Sequence, residues 1–382
     1  MPDMRFAPPR AMRVSDRGGG LNQTSVRTYN ERLVMSLLRQ NDRLSRMELG
    51  QRSGLSAQTI SVIVRALERD ELLTPGEAQR GRVGPPSIPL SLNPDGAFAI
   101  GLKIGSRSAD LVLVDFLGTV RAHVEHRYDW PDAEAVLAAA ADDIPRLVAG
   151  MSDAHRERLV GVGIAVPQEL DRWPLPEWGG ASGRWSDIDL EAALAGIIDL
   201  PVHIQNDVTA AAGAEMMFGT ARTLDDFVYF FVGARSESRL VLNHRIYAGR
   251  DDAGRATPIA SLDDLAARLP ADADKAAIWS ADADWPAYGA VVDEWLSSCA
   301  TSLVAAARTL SGFVSVGTLI IDGRIPQPLH AELCRRVAEA GGDSGAFKVL
   351  EGRSGPFAKA VGAAGMSFHS RYMVETVGLA GG

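Results

Sequence analysis

From Phe98 onward, strand-forming and helix-forming stretches take turns along the chain, and this alternation most narrows what it can fold into. Residues 99–105 and 110–115 read as strands, the second closed by a hairpin-like turn at Gly118. Residues 133–149 make an alanine-rich helical stretch, 159–167 a strand, and an irregular tryptophan-bearing loop runs on through Trp185. A helix over 189–198 then leads into a strand over 202–207. This order predicts an α/β body over residues 93–382. At 382 residues, the chain exceeds what one hydrophobic core usually organises, so more than one domain is expected.

The head, residues 21–92, reads differently. Three short helical patterns follow one another, and their punctuation is more informative than their propensities. The first, around residues 29–39, sets Leu33, Val34, Leu37 and Leu38 on one stripe. The second opens on Ser45-Arg46-Met47-Glu48, a capping box, and closes at Gly54, which suits a left-handed turn. The third starts at the N-cap Ser56 and runs to about Arg69, with Ile60, Ile63, Val64 and Leu67 at the spacing of a buried stripe.

The opposite face of that third helix carries Gln58, Ser61, Val62 and Arg65, with Thr59 near its first turn. These side chains suit base edges and phosphates when a helix enters the major groove; a small three-helix bundle with a polar outer face fits the same periodicity. The segment that follows favours nucleic acid. Two strands joined by a turn bearing Arg80 and Arg82 would form a wing, with the guanidinium groups beside phosphates or in the minor groove. A flexible linker is the competing reading of the same glycines and prolines. Helix-turn-helix, wing and local charge together predict a winged helix-turn-helix that binds double-stranded DNA through Ser56, Gln58, Thr59, Ser61, Arg65, Arg80 and Arg82.

Charge agrees with that division. Residues 1–92 hold 14 Arg, no Lys and 9 acidic residues, whereas the rest of the chain carries an excess of acid that brings the whole to −9. A basic head on an acidic body suits a polyanion bound at one end. Residues 1–20 combine arginines with Pro8, Pro9 and three glycines and lack the apolar core of a secretion signal, so they read as a disordered arm on a cytoplasmic protein. No apolar run of about 18 residues that would span a membrane occurs. Cys299 and Cys334, the two cysteines, lie in helix-like stretches and read as buried free thiols.

The order of pieces in the body resembles the ROK family of repressors and sugar kinases over nearly the whole chain. Its central block is similar to Gly161-Val162-Gly163-Ile164-Ala165-Val166-Pro167, to Leu200-Pro201-Val202 with Asn206-Asp207, and to Ala210–Glu215 and Gly219. Its C-terminal signatures resemble residues 317–323 and 360–365. The resemblance implies a two-lobed, actin-like (ribonuclease H-like) ATPase fold with a ligand cleft between the lobes, behind a DNA-binding head of the kind carried by the repressor members.

Departures from the family pattern then shape the expected function. Family kinases show an Asp-x-Gly-Gly-Thr turn for metal and phosphate; here the run is Lys103-Ile104-Gly105-Ser106-Arg107. An acid has become a lysine and a glycine a serine, which argues against ATP turnover, and Lys103 is expected to pair with a neighbouring acid. The family's zinc motif falls on Arg255-Ala256-Thr257-Pro258 with no cysteine cluster after it, so neither metal nor cofactor is expected. Of the family's sugar-gripping positions Asn206 and Asp207 remain, with Trp178 in the loop and Arg255 where an acid would stand. Asp207 either accepts a ligand hydrogen bond or caps the helix beginning at Val208. Arg255 suggests an anionic ligand such as a sugar acid or sugar phosphate.

The expected protein is thus a DNA-binding transcriptional regulator, a repressor, acting as a homodimer that senses a sugar or sugar-derived ligand without phosphorylating it. An active sugar kinase with an accessory head, or a ligand-independent DNA-binding protein with a vestigial cleft, stays open at this level. A stripe of Val292, Trp295, Leu296, Cys299, Leu303 and Ala306 fits either ordinary core packing or a subunit interface.

Overall fold

The structure is a computed structural model and describes residues 23–78, 87–167, 170, 185–247, 259–273, 275, 277–279, 285–341 and 347–374. The expected arm at 1–20 lies outside these residues.

The head contains α1 (Gln23–Asn41), β1 (Leu44–Ser45), α2 (Arg46–Ser53), α3 (Ala57–Arg69), β2 (Leu73–Pro75) and β3 (Pro89–Leu92). The capping box is formed: Glu48 N donates to Ser45 Oγ at 3.2 Å and Ser45 N donates to Glu48 Oε2 at 2.8 Å. Gly54 ends α2 at φ 71°, a conformation that favours glycine, and Thr59 N donates to Ser56 Oγ to start α3. Ile60, Ile63, Val64 and Leu67 are buried as their spacing requires. β3 pairs antiparallel with both β1 and β2, which is the framework of a wing. Helix α1 begins well before residue 29, because its first turns run over polar residues that carry no apolar periodicity.

Two lobes follow. The first holds β4 (Phe98–Ile104), β5 (Ser108–Asp115), β6 (Val120–Arg127), α4 (Ala133–Ala149), α5 (Asp153–Arg156), β7 (Leu159–Val166), α6 (Leu190–Ala195) and β8 (Val202–Asn206). The second holds α7 (Asp207–Met217), β9 (Phe227–Val232), β10 (Glu237–Leu242), β11 (Arg245–Ile246), α8 (Leu262–Arg268), α9 (Gly289–Ser311), β12 (Thr318–Gly323), α10 (Gln327–Ala340) and β13 (Lys348–Glu351); α11 (Ala358–Tyr372) returns to the first lobe. The sheet orders are β6-β5-β4-β7-β8 and β11-β10-β9-β12-β13. In each, the first three strands are antiparallel and the last three parallel, so the two lobes repeat one topology.

The central strands carry almost no polar side chains because helices cover both faces of each sheet. β7 is buried over all but its last residue, while the edge strand β6 stays partly exposed. The stripe on α9 is core: Trp295 is fully buried, its ring edge-on to Trp285 with centroids 5.8 Å apart. Cys299 and Cys334 are free and buried, and burial pushes both thiols up to about 12. No helix among the described residues is long and apolar enough to cross a membrane.

One hydrophobic cluster crosses the expected boundary at residue 92, joining Val34, Met35, Leu38 and Val64 of the head to Val114, Phe116, Phe368 and Met373 of the body. At its rim Arg39 is buried, donates from Nη2 to Phe116 O at 2.5 Å, and lies 4.8 and 5.1 Å from the ring centres of Phe116 and Phe218. Burial, then the nearby Arg222 charge, lower its pKa to about 9, which leaves it a cation at neutral pH. The head also pairs Asp42 with Arg222 of the second lobe and Glu71 with Arg158 of the first. It is therefore fastened to both lobes. Arg39→Ala leaves the buried Phe116 carbonyl without this donor and opens a void between two rings, so a loss of about 1–3 kcal/mol is expected. Denaturant unfolding of the full chain measures it, and an unchanged midpoint would contradict it.

Candidate nucleic-acid interface and cleft

On α3, Gln58, Val62 and Arg65 are exposed along one stripe, with Ser56 exposed at the cap and Thr59 and Ser61 half-buried beside it. Several of these side chains also serve the helix. Ser56 Oγ lies 2.8 Å from Thr59 Oγ1, Ser61 Oγ donates to Ala57 O at 2.8 Å, and Arg65 Nε donates to Ser61 O at 3.0 Å. Gln58 and Val62 stand outward on the same face. Arg80 and Arg82 of the expected wing tip, and Trp178 and Arg255 of the expected ligand set, lie outside the described residues.

The second site is the cleft between the lobes. Its floor is the β4–β5 turn, where a phosphate-binding loop would need bare backbone. Lys103 covers that turn: an ideal Cβ on Gly105 would lie 2.5 Å from Lys103 Nζ. The ammonium donates to Ser108 O and Oγ at 3.1 Å each and to Asp110 Oδ2 at 3.0 Å, so the ion pair expected from sequence is present. From across the cleft, Arg324 donates through Nη1 to Ser108 Oγ and Asp110 Oδ2, both at 3.2 Å, and through Nη2 to Glu125. Burial works against the Asp110 charge, but Lys103, the hydrogen bond from His123 and Arg324 outweigh it and hold the carboxyl well below the ordinary range.

At the opposite wall, Asp207 corrects one reading. Helix α7 begins at Asp207 itself, and Asn206 is the cap: its Oδ1 accepts from Thr209 N at 3.0 Å. A side chain caps two or three residues ahead, and Asn206 is the residue at that distance in extended backbone. Asp207, 2 % exposed, lines the cleft and pairs with Lys359 of α11. Burial opposes the Lys359 charge, but Asp207 and then Glu237 outweigh it and raise the ammonium above the usual lysine value. Lys359 Nζ also stands 4.6 Å from the Phe231 ring centre, while Arg107 lies over Trp279 at 5.6 Å. The cleft thus offers paired charges as strong hydrogen-bonding groups and two aromatic rings.

Of the residues that line the cleft, sequence reading had singled out Lys103 and Asp207 but not Arg324, Glu125, Lys359, Phe231 or Trp279, while Asn206 serves as the cap of α7. Arg324 had one local signal, its place directly after the glycine that ends β12. The others sit on ordinary strands and helices and become neighbours only in the fold. Among the described residues, no group of three or more His, Cys, Asp or Glu is placed to hold a metal ion.

Family models match both parts of the chain. A family model described as winged helix-turn-helix DNA-binding matches residues 27–74, and one described as ROK family matches residues 99–257. The chain joins a winged helix-turn-helix to a ROK family domain. Among relatives, the xylose repressor of Bacillus spizizenii is 26% identical over 231 residues, 60% of this chain and 59% of that protein. An uncharacterized protein, y4fQ, of Sinorhizobium fredii is 27% identical over 331 residues, 81% of this chain and 82% of that one. The chain spans less than two thirds of the xylose repressor it matches. Its fold is that of a ROK family transcriptional regulator, homolog of the E. coli MLC protein, at TM-score 0.60 and 19% identity over 91% of this chain and 97% of the other. A ROK family glucokinase from Streptomyces griseus shares the body alone, at TM-score 0.52 and 18% identity over 71% of this chain and 99% of the other.

Proposed function

We propose that this chain is a DNA-binding transcriptional regulator, a repressor, whose kinase-like cleft senses a sugar or sugar-derived ligand without phosphorylating it. The observation that carries the proposal is a helix-turn-helix with the outer stripe of α3 unpacked, built onto a kinase-like body whose phosphate turn is covered by Lys103. Relatives named xylose repressor support a sugar-responsive repressor. Ser56, Gln58, Thr59, Ser61 and Arg65 meet the DNA, with Arg80 and Arg82 on the wing; Asn206 and Asp207, joined by Trp178 and Arg255, hold the ligand.

In this reading two copies present two α3 helices to half-sites roughly 34 Å apart on one face of the duplex. Because the head is tied to one lobe through Arg158 and Arg39 and to the other through Arg222, a change in lobe angle pulls on the head. A ligand that prefers one lobe arrangement therefore shifts DNA affinity by the difference in its own affinity for the two.

Recovery of genomic fragments on the purified full chain at low salt, followed by binding titrations, tests the DNA half. Arg65→Ala and Gln58→Ala are each expected to weaken operator binding by about 1–3 kcal/mol. Equal affinity and selectivity in both variants would place another face in the groove. Incubation with ATP and a panel of sugars tests the other half, and sugar-dependent ADP release would overturn it. Calorimetry with neutral and acidic sugars decides whether the ligand is anionic, as Arg255 suggests.

A further inference from the structure

Val62 is 51 % exposed in the middle of the outer stripe of α3, one turn beyond Gln58 and one turn before Arg65. Beyond Ala57 in the first turn, every other apolar side chain of the helix is buried: Ile60, Ile63, Val64, Ala66 and Leu67. A β-branched residue brings α3 no helix propensity, and the side chain stays open to solvent. No second large apolar side chain is exposed on α3, so the stripe lacks the cluster of anchors a protein partner would need.

One apolar group is displayed in the major groove of DNA, the 5-methyl of thymine, and small aliphatic side chains are its usual contacts. We propose that Val62 determines specificity by packing its isopropyl group on a thymine methyl in each half-site, between the base pairs met by Gln58 and Arg65. The proposal rests on the DNA-binding reading above. Polar neighbours can fix register through hydrogen bonds, but they gain nothing from a methyl. Val62 therefore distinguishes thymine from cytosine at the position it covers, where the pyrimidine edge without the methyl leaves the isopropyl group facing water.

Selection from a random duplex pool with the full chain, run in parallel for wild type, Val62→Ser and Val62→Ala, tests this. The wild type is expected to enrich one thymine per half-site that Val62→Ser no longer prefers, while the flanking positions stay enriched. Replacing that thymine with deoxyuridine removes the methyl alone. It should weaken wild-type binding about fourfold, the effect of roughly one buried methyl group, and leave Val62→Ser unchanged. Because Val62 points to solvent, both variants should melt with the wild type, which separates lost contact from lost fold. Identical selected sequences in all three proteins, or indifference of the wild type to deoxyuridine, would show an incidental surface valine and overturn the assignment. Failure of the wild type to enrich any sequence would overturn the DNA-binding reading itself, and this assignment with it.

Discussion

A Gly163→Val chain is expected to lose the native fold. Gly163 lies in β7, an interior strand of the first sheet, and even a methyl group at that position would stand 1.8 Å from Ala363 O and 2.3 Å from Ala363 C on α11. Those atoms are helix backbone, which cannot swing aside as a side chain can. The same helix is held equally close elsewhere: a Cβ on Gly101 of β4 would lie 1.9 Å from Ala360 O, and one on Gly362 of α11 itself 1.8 Å from Ala210 O of α7. Moving α11 off β7 therefore loosens its contacts with β4 and α7, and with α1 of the head. Overpacking a core by a methylene or two usually costs about 1–3 kcal/mol, where neighbours can relax. Here they cannot, and the expected loss exceeds about 5 kcal/mol, a large part of the stability of an ordinary domain. Circular dichroism and thermal melting measure it. Gly317→Ala, where a Cβ meets nothing within 4 Å, serves as the control that should melt with the wild type. A Gly163→Val protein melting within a few degrees of the wild type would mean that α11 is not seated as described.

The second large effect is expected at Asp110. This carboxylate is 2 % exposed and receives hydrogen bonds from Lys103 Nζ, Ser108 Oγ and Arg324 Nη1. Asp110→Ala strands the mostly buried Lys103 and leaves Arg324 with Glu125 as its remaining carboxylate, and breaking a buried pair from one side costs about 3–5 kcal/mol. Removing both charges of the pair, as Lys103→Met with Asp110→Leu, should be less destabilising than Asp110→Ala alone, because no unpaired lysine remains. The dependence on pH has a definite sign. The folded carboxyl is held below the ordinary value, so its contribution is fully present above about pH 4 and is lost as pH falls below that toward the folded value. Acid unfolding of the wild type should therefore be steeper than that of Asp110→Asn between about pH 4 and pH 2. Coincident acid transitions for the two would show that Asp110 does not carry this linkage.

Much of the head was legible in the sequence, because its signals are local. A capping box needs four consecutive residues, Ser45 to Glu48, and a helix-ending glycine one; the buried stripe of α3 is a spacing within eight residues. Even the cap alternative left open for Asp207 was a local matter, a choice between two adjacent residues, decided by where the backbone of β8 stops being extended.

The cleft was legible only in part. Lys103 and Asp110 face each other in a hairpin, and their pairing could be anticipated because seven residues separate them. The contact of Arg324 with Asp110 spans 214 residues, that of Lys359 with Asp207 spans 152, and that of Arg222 with Asp42 spans 180. No periodicity carries across such distances. The residues alone therefore determined the helices, strands and caps and the face that α3 turns outward, since each depends on neighbours within a turn or a strand pair. Only the tertiary structure decided which charges meet across the cleft and that the head is fastened to both lobes. Those contacts exist because α11 brings the two sheets and α1 together, and no short stretch of chain encodes that meeting.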